Sequence, residues 1–146
     1  MTEIEFHFNV PDKLAYGCRL LRKVYRSGMQ AVVIGESGLL AGLDDMLWCM
    51  SPTEFVPHCL AHANLRNVSY TPVLLAELPN NCPANSVLIN LGLTMPTDFE
   101  RFERFIEVVT SDGEDRMSGR NRWKHYKEKG YALVRHDLAA GKDAHE

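Results

Sequence analysis

The sequence contains no CxxC pair, no apolar run near the roughly 18 residues that span a bilayer, and no excess of positive charge. Each absence removes a class of protein. Cys18, Cys49, Cys59 and Cys82 are scattered, and a domain of this size stands without disulfide staples, so the expectation is four reduced thiols. The N-terminus "MTEIEFHFNV" lacks the basic and apolar regions of an export signal, which points to a soluble cytoplasmic protein with no membrane contact. Phosphate loops of the GxxxxGK[ST] and GxGxxG types are missing as well. No repeat, low-complexity segment or internal linker interrupts the chain. Its 146 residues, 45% hydrophobic, suffice for one packed core and one domain over residues 1–146, with "AAGKDAHE" at 139–146 expected to fray.

Periodicity supplies the elements. "IEFHFNV" alternates Ile4, Phe6, Phe8 and Val10 with more polar residues, predicting a half-buried strand at 4–9 closed by Pro11. From Asp12, the residues Leu14, Cys18, Leu21 and Val24 or Tyr25 recur at helical spacing, and Gly28 stops the helix. "AVVIG" at 31–35 is a continuous β-branched run suited to a strand buried on both faces. Leu39, Leu40, Leu43, Met46 and Leu47 form a second helix with Ser37 as its cap, ending near Trp48. "PVLLAEL", "SVLIN" and "FIEVV" are further strands, with a short helical stretch near "TDFERF". A last helix covers 114–129, Gly130 ends it, and "YALVRH" is a final strand. The alternation argues for an α/β domain with a mostly parallel, twisted central sheet flanked by helices.

Three constellations could carry chemistry, and each is incomplete. "VVIGESG" is a strand entering a turn before a helix, where α/β proteins bind phosphates, but it lacks the lysine and hydroxyl of a P-loop. "HCLAHA" puts His58 and His62 on one face if helical, beside Cys59, without further zinc ligands or a general base nearby. No cysteine carries the local signature of a nucleophile. The expectation is no catalysis, no cofactor and no bound metal.

Charge and aromatics are more informative. Residues 113–146 hold eight bases against six acids, whereas residues 1–112 hold eight against thirteen. Between Arg116 and Lys129, in "RMSGRNRWKHYKEK", the only carboxylate is Glu128. At 100° per residue, Arg116, Arg120, Trp123, Lys124 and Lys127 share an arc of about 100°, while Arg122 and Lys129 point away. A cationic stripe around an aromatic suits an acidic ligand with apolar residues, or else a phosphate backbone with a stacked base. A solvated helix face is the plain alternative. "LDDMLWCMSPTEFVPH" places Trp48 at a helix end and Phe55 in a loop, positions open either to core packing or to an interface.

"LDDMLW", a proline, "FVPHCLA" and the terminal "RNRWKHYKEKGY", in this order and chain length, resemble the chi subunit of bacterial DNA polymerase III holoenzyme. The similarity runs over essentially the whole chain. It implies a non-enzymatic clamp-loader accessory protein with a fold reminiscent of nucleotide-binding domains yet without a phosphate loop. It implies a heterodimer with the psi subunit, joining the clamp loader through psi, and binding of the acidic, Phe-ending tail of single-stranded DNA-binding protein. The family's tail-binding positions fall on Arg116, Arg120, Trp123 and Lys124, with Trp123 where the family often has Tyr. Its psi or partner surface falls on Trp48 and Phe55, and less strongly on Val56, Pro57 and His58. Direct binding of single-stranded nucleic acid is the alternative reading of the stripe, though the acidic body opposes it. A small enzyme built on "GESG" or "HCLAH" is a third.

Overall fold

Ile4, Phe6 and Phe8 lie on one face of strand β1 (Glu3–Val10), and Glu5 and His7 on the other. The structure, a computed structural model, describes residues 3–48, 58–60, 73–76, 87–93, 95–96 and 99–138. β1 leads into helix α1 (Lys13–Arg26), whose start is fixed by Asp12: its carboxylate accepts from the N–H groups of Leu14 at 3.1 Å and Ala15 at 3.2 Å. Gly28, at φ +84°, takes the left-handed conformation that ends the helix. Of the two residues offered by the periodicity, Val24 faces the core and Tyr25 is exposed.

Strand β2 (Ala31–Ile34) follows, then helix α2 (Ser37–Trp48). Ser37 was expected as the cap of α2. Instead the Glu36 carbonyl accepts from the Leu40 N–H at 2.9 Å, so Ser37 already sits in the first turn. Strands β3 (His58–Leu60), β4 (Val73–Ala76) and β5 (Val87–Asn90) precede a 3-10 turn at Phe99–Arg101. Strand β6 (Arg104–Thr110), helix α3 (Gly113–Glu128) and strand β7 (Leu133–Asp137) complete the order. Gly130, at φ +86°, ends α3 as its sequence position suggests.

The strands form one seven-stranded sheet in the order β3-β4-β2-β5-β6-β1-β7, and each pairing among the described residues is parallel. β3 is an addition to the expected elements. "HCLAH" puts His58 and His62 on one face only if it is helical, but His58–Leu60 pairs as a strand with Val73–Leu75, and His62 lies outside the described residues. A three-residue strand is too short for period-two patterning to announce it.

Alternate residues of the buried strands serve two different cores. Ala31, Val33, Val73, Leu75, Val87 and Ile89 pack with α1 and α2, while Val32, Ile34, Leu74, Ala76 and Leu88 pack on the face covered by α3. Because both faces are covered, Ala31–Ile34, Val73–Ala76 and Val87–Ile89 are apolar throughout and the sequence shows runs rather than an alternation.

β1 changes parity near its end. His7 pairs with Val108 and Val10 with Thr110, so β1 carries one extra residue there. That residue set includes Asn9, at φ 59°, a conformation asparagine adopts more readily than most. The bulge turns Val10 into the α1/α2 core, away from the side of Phe6 and Phe8.

Candidate functional site: a cationic groove at the carboxyl ends of β1 and β6

β1 and β6 are neighbours, yet the helices that follow them leave on opposite faces: α1 packs on one side of the sheet and α3 on the other. Such a divergence opens a crevice beyond the carboxyl ends of the two strands, where α/β proteins place their ligands. Asp115 braces it. Its Oδ2 accepts from the Thr110 N–H at 2.7 Å and the Thr110 hydroxyl at 2.8 Å, and Lys13 donates to its Oδ1 at 3.2 Å. One buried carboxylate in the first turn of α3 therefore ties the end of β6 to the start of α1.

A groove of about 310 Å³ lies here. Phe6, Phe8 and Asn9 contribute from β1, Val109 and Thr110 from β6, Arg116, Gly119, Arg120 and Trp123 from α3, and Arg135 from β7. Its floor depends on Gly119, which is buried: a Cβ there would stand 2.9 Å from Cγ2 and 3.0 Å from Cγ1 of Val109. Only glycine lets the helix come this close to the strand. The Trp123 ring meets Phe6 edge to face at 5.1 Å between centroids, so the indole is held by packing and half-buried. Arg116 and Arg120 are exposed at the rim. Across from them the Arg135 guanidinium lies over the Phe8 ring at 5.2 Å from its centroid. The site offers three guanidinium groups around an apolar floor.

Arg122 belongs to a different structure. It is 4% exposed, and its Nε donates to Glu107 Oε2 at 3.1 Å while Nη1 donates to the Leu93 carbonyl and to Ser118 Oγ, both at 2.6 Å. Glu107, fully buried in β6, also accepts from the Tyr126 hydroxyl at 2.7 Å and from Asn90 Nδ2 at 2.8 Å. Burial pushes the Glu107 carboxyl up from its ordinary range, with the Arg122 charge and the three donors pulling against it. Burial and the neighbouring Glu107 charge push the Tyr126 phenol up too, so it stays protonated as a donor. This network pins the inward face of α3 to the sheet, while Arg116, Arg120 and Lys124 on the outward face are exposed.

The sequence-predicted stripe is therefore partly assembled. Arg116, Arg120 and Trp123 come together in the groove, and Arg122 points inward as the helical phase requires. Lys124 is exposed on α3 and does not line the groove. Phe6, Phe8, Asn9 and Arg135 join from strands distant in sequence, and no local spacing announces them.

The family described as "DNA polymerase III chi subunit, HolC" matches residues 1–134. The chain belongs to the DNA polymerase III chi subunit family. It is 32% identical over 146 aligned residues to DNA polymerase III subunit chi of Pseudomonas aeruginosa, covering 94% of this chain and 98% of that one. To DNA polymerase III subunit chi of Haemophilus influenzae it is 30% identical over 118 residues, covering 80% and 81% of the two chains. The fold also resembles a solved structure of S. cerevisiae Dbp5 bound to Nup159, Gle1, IP6 and ADP, with a TM-score of 0.63 at 14% identity. That match covers 93% of this chain and 42% of the other, and at such low identity the likeness concerns the fold alone.

For a chi-family chain the second expected surface is Trp48 and Phe55. Trp48, the last residue of α2, is 61% exposed, which sets it apart from Leu40, Leu43 and Leu47 on the buried side of the same helix. Phe55, Val56 and Pro57 lie outside the described residues. Among the described residues no helix is long and apolar enough to cross a membrane.

Proposed function

We propose that this chi-family protein is a non-catalytic, cytoplasmic accessory subunit of the DNA polymerase III clamp-loader complex, pairing with the psi subunit and binding the acidic C-terminal tail of single-stranded DNA-binding protein. The observation that carries the reading is the groove itself: Arg116, Arg120 and Arg135 surround a floor made by Phe6, Phe8, Val109 and Trp123. A peptide with several carboxylates and an aromatic end needs both parts, because guanidinium groups grip carboxylates bidentately while the apolar floor shelters the ring. Lys124, on the same helix, adds to the field that draws an anionic peptide in. Trp48 and Phe55 serve psi, since a large aromatic left exposed at a helix end acts as an interface anchor.

Tagged protein recovered from a lysate of its own cells tests both surfaces at once. Wild type is expected to bring down psi and single-stranded DNA-binding protein together. Trp48→Ala should lose psi and keep a synthetic tail peptide, with truncation of such an anchor costing on the order of 2–4 kcal/mol of binding. Undiminished psi recovery with Trp48→Ala would reject the psi surface, and a wild-type protein that takes up neither partner would reject the whole reading.

A further inference from the structure

The face of β1 opposite the groove presents Glu5 and His7, and β7 brings His136 alongside: His7 and His136 are register partners on adjacent parallel strands, with ring centroids 4.6 Å apart. Glu5 and His7 are each 7% exposed. Both imidazoles aim Nε2 at the same carboxylate oxygen, His7 at 3.1 Å and His136 at 3.4 Å from Glu5 Oε1. One ligand atom from each of the three residues lies within 4.8 Å of the others. A zinc ion bound tetrahedrally at about 2.0–2.1 Å from nitrogen and oxygen donors separates those donors by roughly 3.3 Å. The two nitrogen-to-oxygen distances, 3.1 and 3.4 Å, bracket that value.

The surroundings are those of a supported ligand set. Arg104 donates through Nε at 3.0 Å and Nη2 at 2.7 Å to Glu5 Oε2, which turns the other oxygen, Oε1, toward the imidazoles. The Tyr16 hydroxyl is hydrogen-bonded to His7 Nδ1, fixing the ring from behind. Metal-bound histidines characteristically have such a partner on their second nitrogen. A cavity of about 470 Å³ reaches all three residues and provides an entry path and an open fourth position.

We propose that Glu5, His7 and His136 form a binding site for a divalent transition metal, zinc by the nitrogen and oxygen character of the donors, with water or a small anion from the cavity as the fourth ligand. In the metal-free Nε2–H tautomer of His7, Nε2–H donates to the Glu5 carboxylate and Nδ1 accepts from the Tyr16 hydroxyl. With metal, the Nε2 lone pair goes to the ion, the ring proton resides on Nδ1, and Nδ1–H donates to the Tyr16 oxygen. A neutral His7 changes tautomer with no net gain or loss of protons. Sequence spacing hides the site because His136 lies far from the Glu5/His7 pair. The pair alone has the i, i+2 spacing that puts two side chains on one face of a strand.

The test is titration of chelator-treated full-length protein with zinc by calorimetry and with cobalt(II) by visible absorption. Wild type should bind one ion per chain at micromolar concentration or below. The cobalt complex should show d–d bands of a tetrahedral site without the near-ultraviolet charge-transfer band of thiolate ligation. His136→Ala, at the partly exposed edge strand, should weaken binding at least a hundredfold. Tyr16→Phe should weaken it about tenfold, and His125→Ala, remote on α3, should leave it unchanged. If His7→Ala is unstable, His136→Ala and Tyr16→Phe carry the test. No binding by wild type at tens of micromolar zinc, or equal binding by wild type and His136→Ala, would reduce the cluster to a hydrogen-bonded triad and overturn the proposal.

Discussion

Helix α3 carries two kinds of arginine, and their contrast shows how helical phase separates a buried charge from exposed ones. Arg122 faces inward, 4% exposed, and spends its hydrogen bonds on Glu107, Leu93 and Ser118. Arg116 and Arg120 face outward on the groove rim. The same residue type, about half a helical turn apart at Arg120 and Arg122, is tied into the core on one side and exposed on the other. What decides is helical phase: a charge turned toward the sheet must be paired because desolvating it is expensive, whereas a charge on the rim stays hydrated.

The contrast is sharpest when the inward side is broken. Arg122→Ala leaves Glu107 buried without its cation and should cost about 3–5 kcal/mol of stability. Urea unfolding measures it, and the contrast fails if Arg122→Ala loses no more than Arg120→Ala. Gly119→Ala forces a methyl against Val109 and should cost about 1–3 kcal/mol while narrowing the groove, so both unfolding midpoint and tail-peptide affinity should drop. A smaller effect comes from Tyr126. Its folded-state pKa is raised above the ordinary value of 10 by burial and then by Glu107. The folded state therefore holds its proton longer than the unfolded state does. The stability this gives is complete below pH 10 and declines as pH rises above 10, by at most about 1.4 kcal/mol per pH unit. Tyr126→Phe should remove that alkaline slope, and Arg120→Ala should keep it.

Much of this was legible in the sequence, for identifiable reasons. Asp12, Gly28 and Gly130 mark helix ends through chemistry that does not depend on tertiary context. The helical phase of α3 separated Arg122 from Arg116 and Arg120, because 100° per residue holds for any straight helix. The β1 alternation held through Phe8 and failed at Val10, since a bulge at Asn9 shifts parity without a strong local mark. Arg135 and Phe8 reached the groove through strand pairing, which no local window contains. Glu107 did leave a trace. A carboxylate inside the apolar "FIEVV" run has to find a donor, and Arg122 with Tyr126 on the following helix are where that demand is met.

The outward side is tested by titrating the acidic tail peptide of single-stranded DNA-binding protein, and separately a single-stranded oligonucleotide, into wild type and Arg120→Ala at physiological salt. Charge-assisted hydrogen bonds are worth roughly 1.5–3 kcal/mol, so Arg120→Ala should weaken the peptide about tenfold to a hundredfold. Its folding stability should stay within about 0.5 kcal/mol of wild type. Bare DNA should bind wild type much more weakly than the peptide does. An unchanged peptide affinity in Arg120→Ala together with a fall in DNA affinity would contradict the account and make the groove a nucleic-acid site.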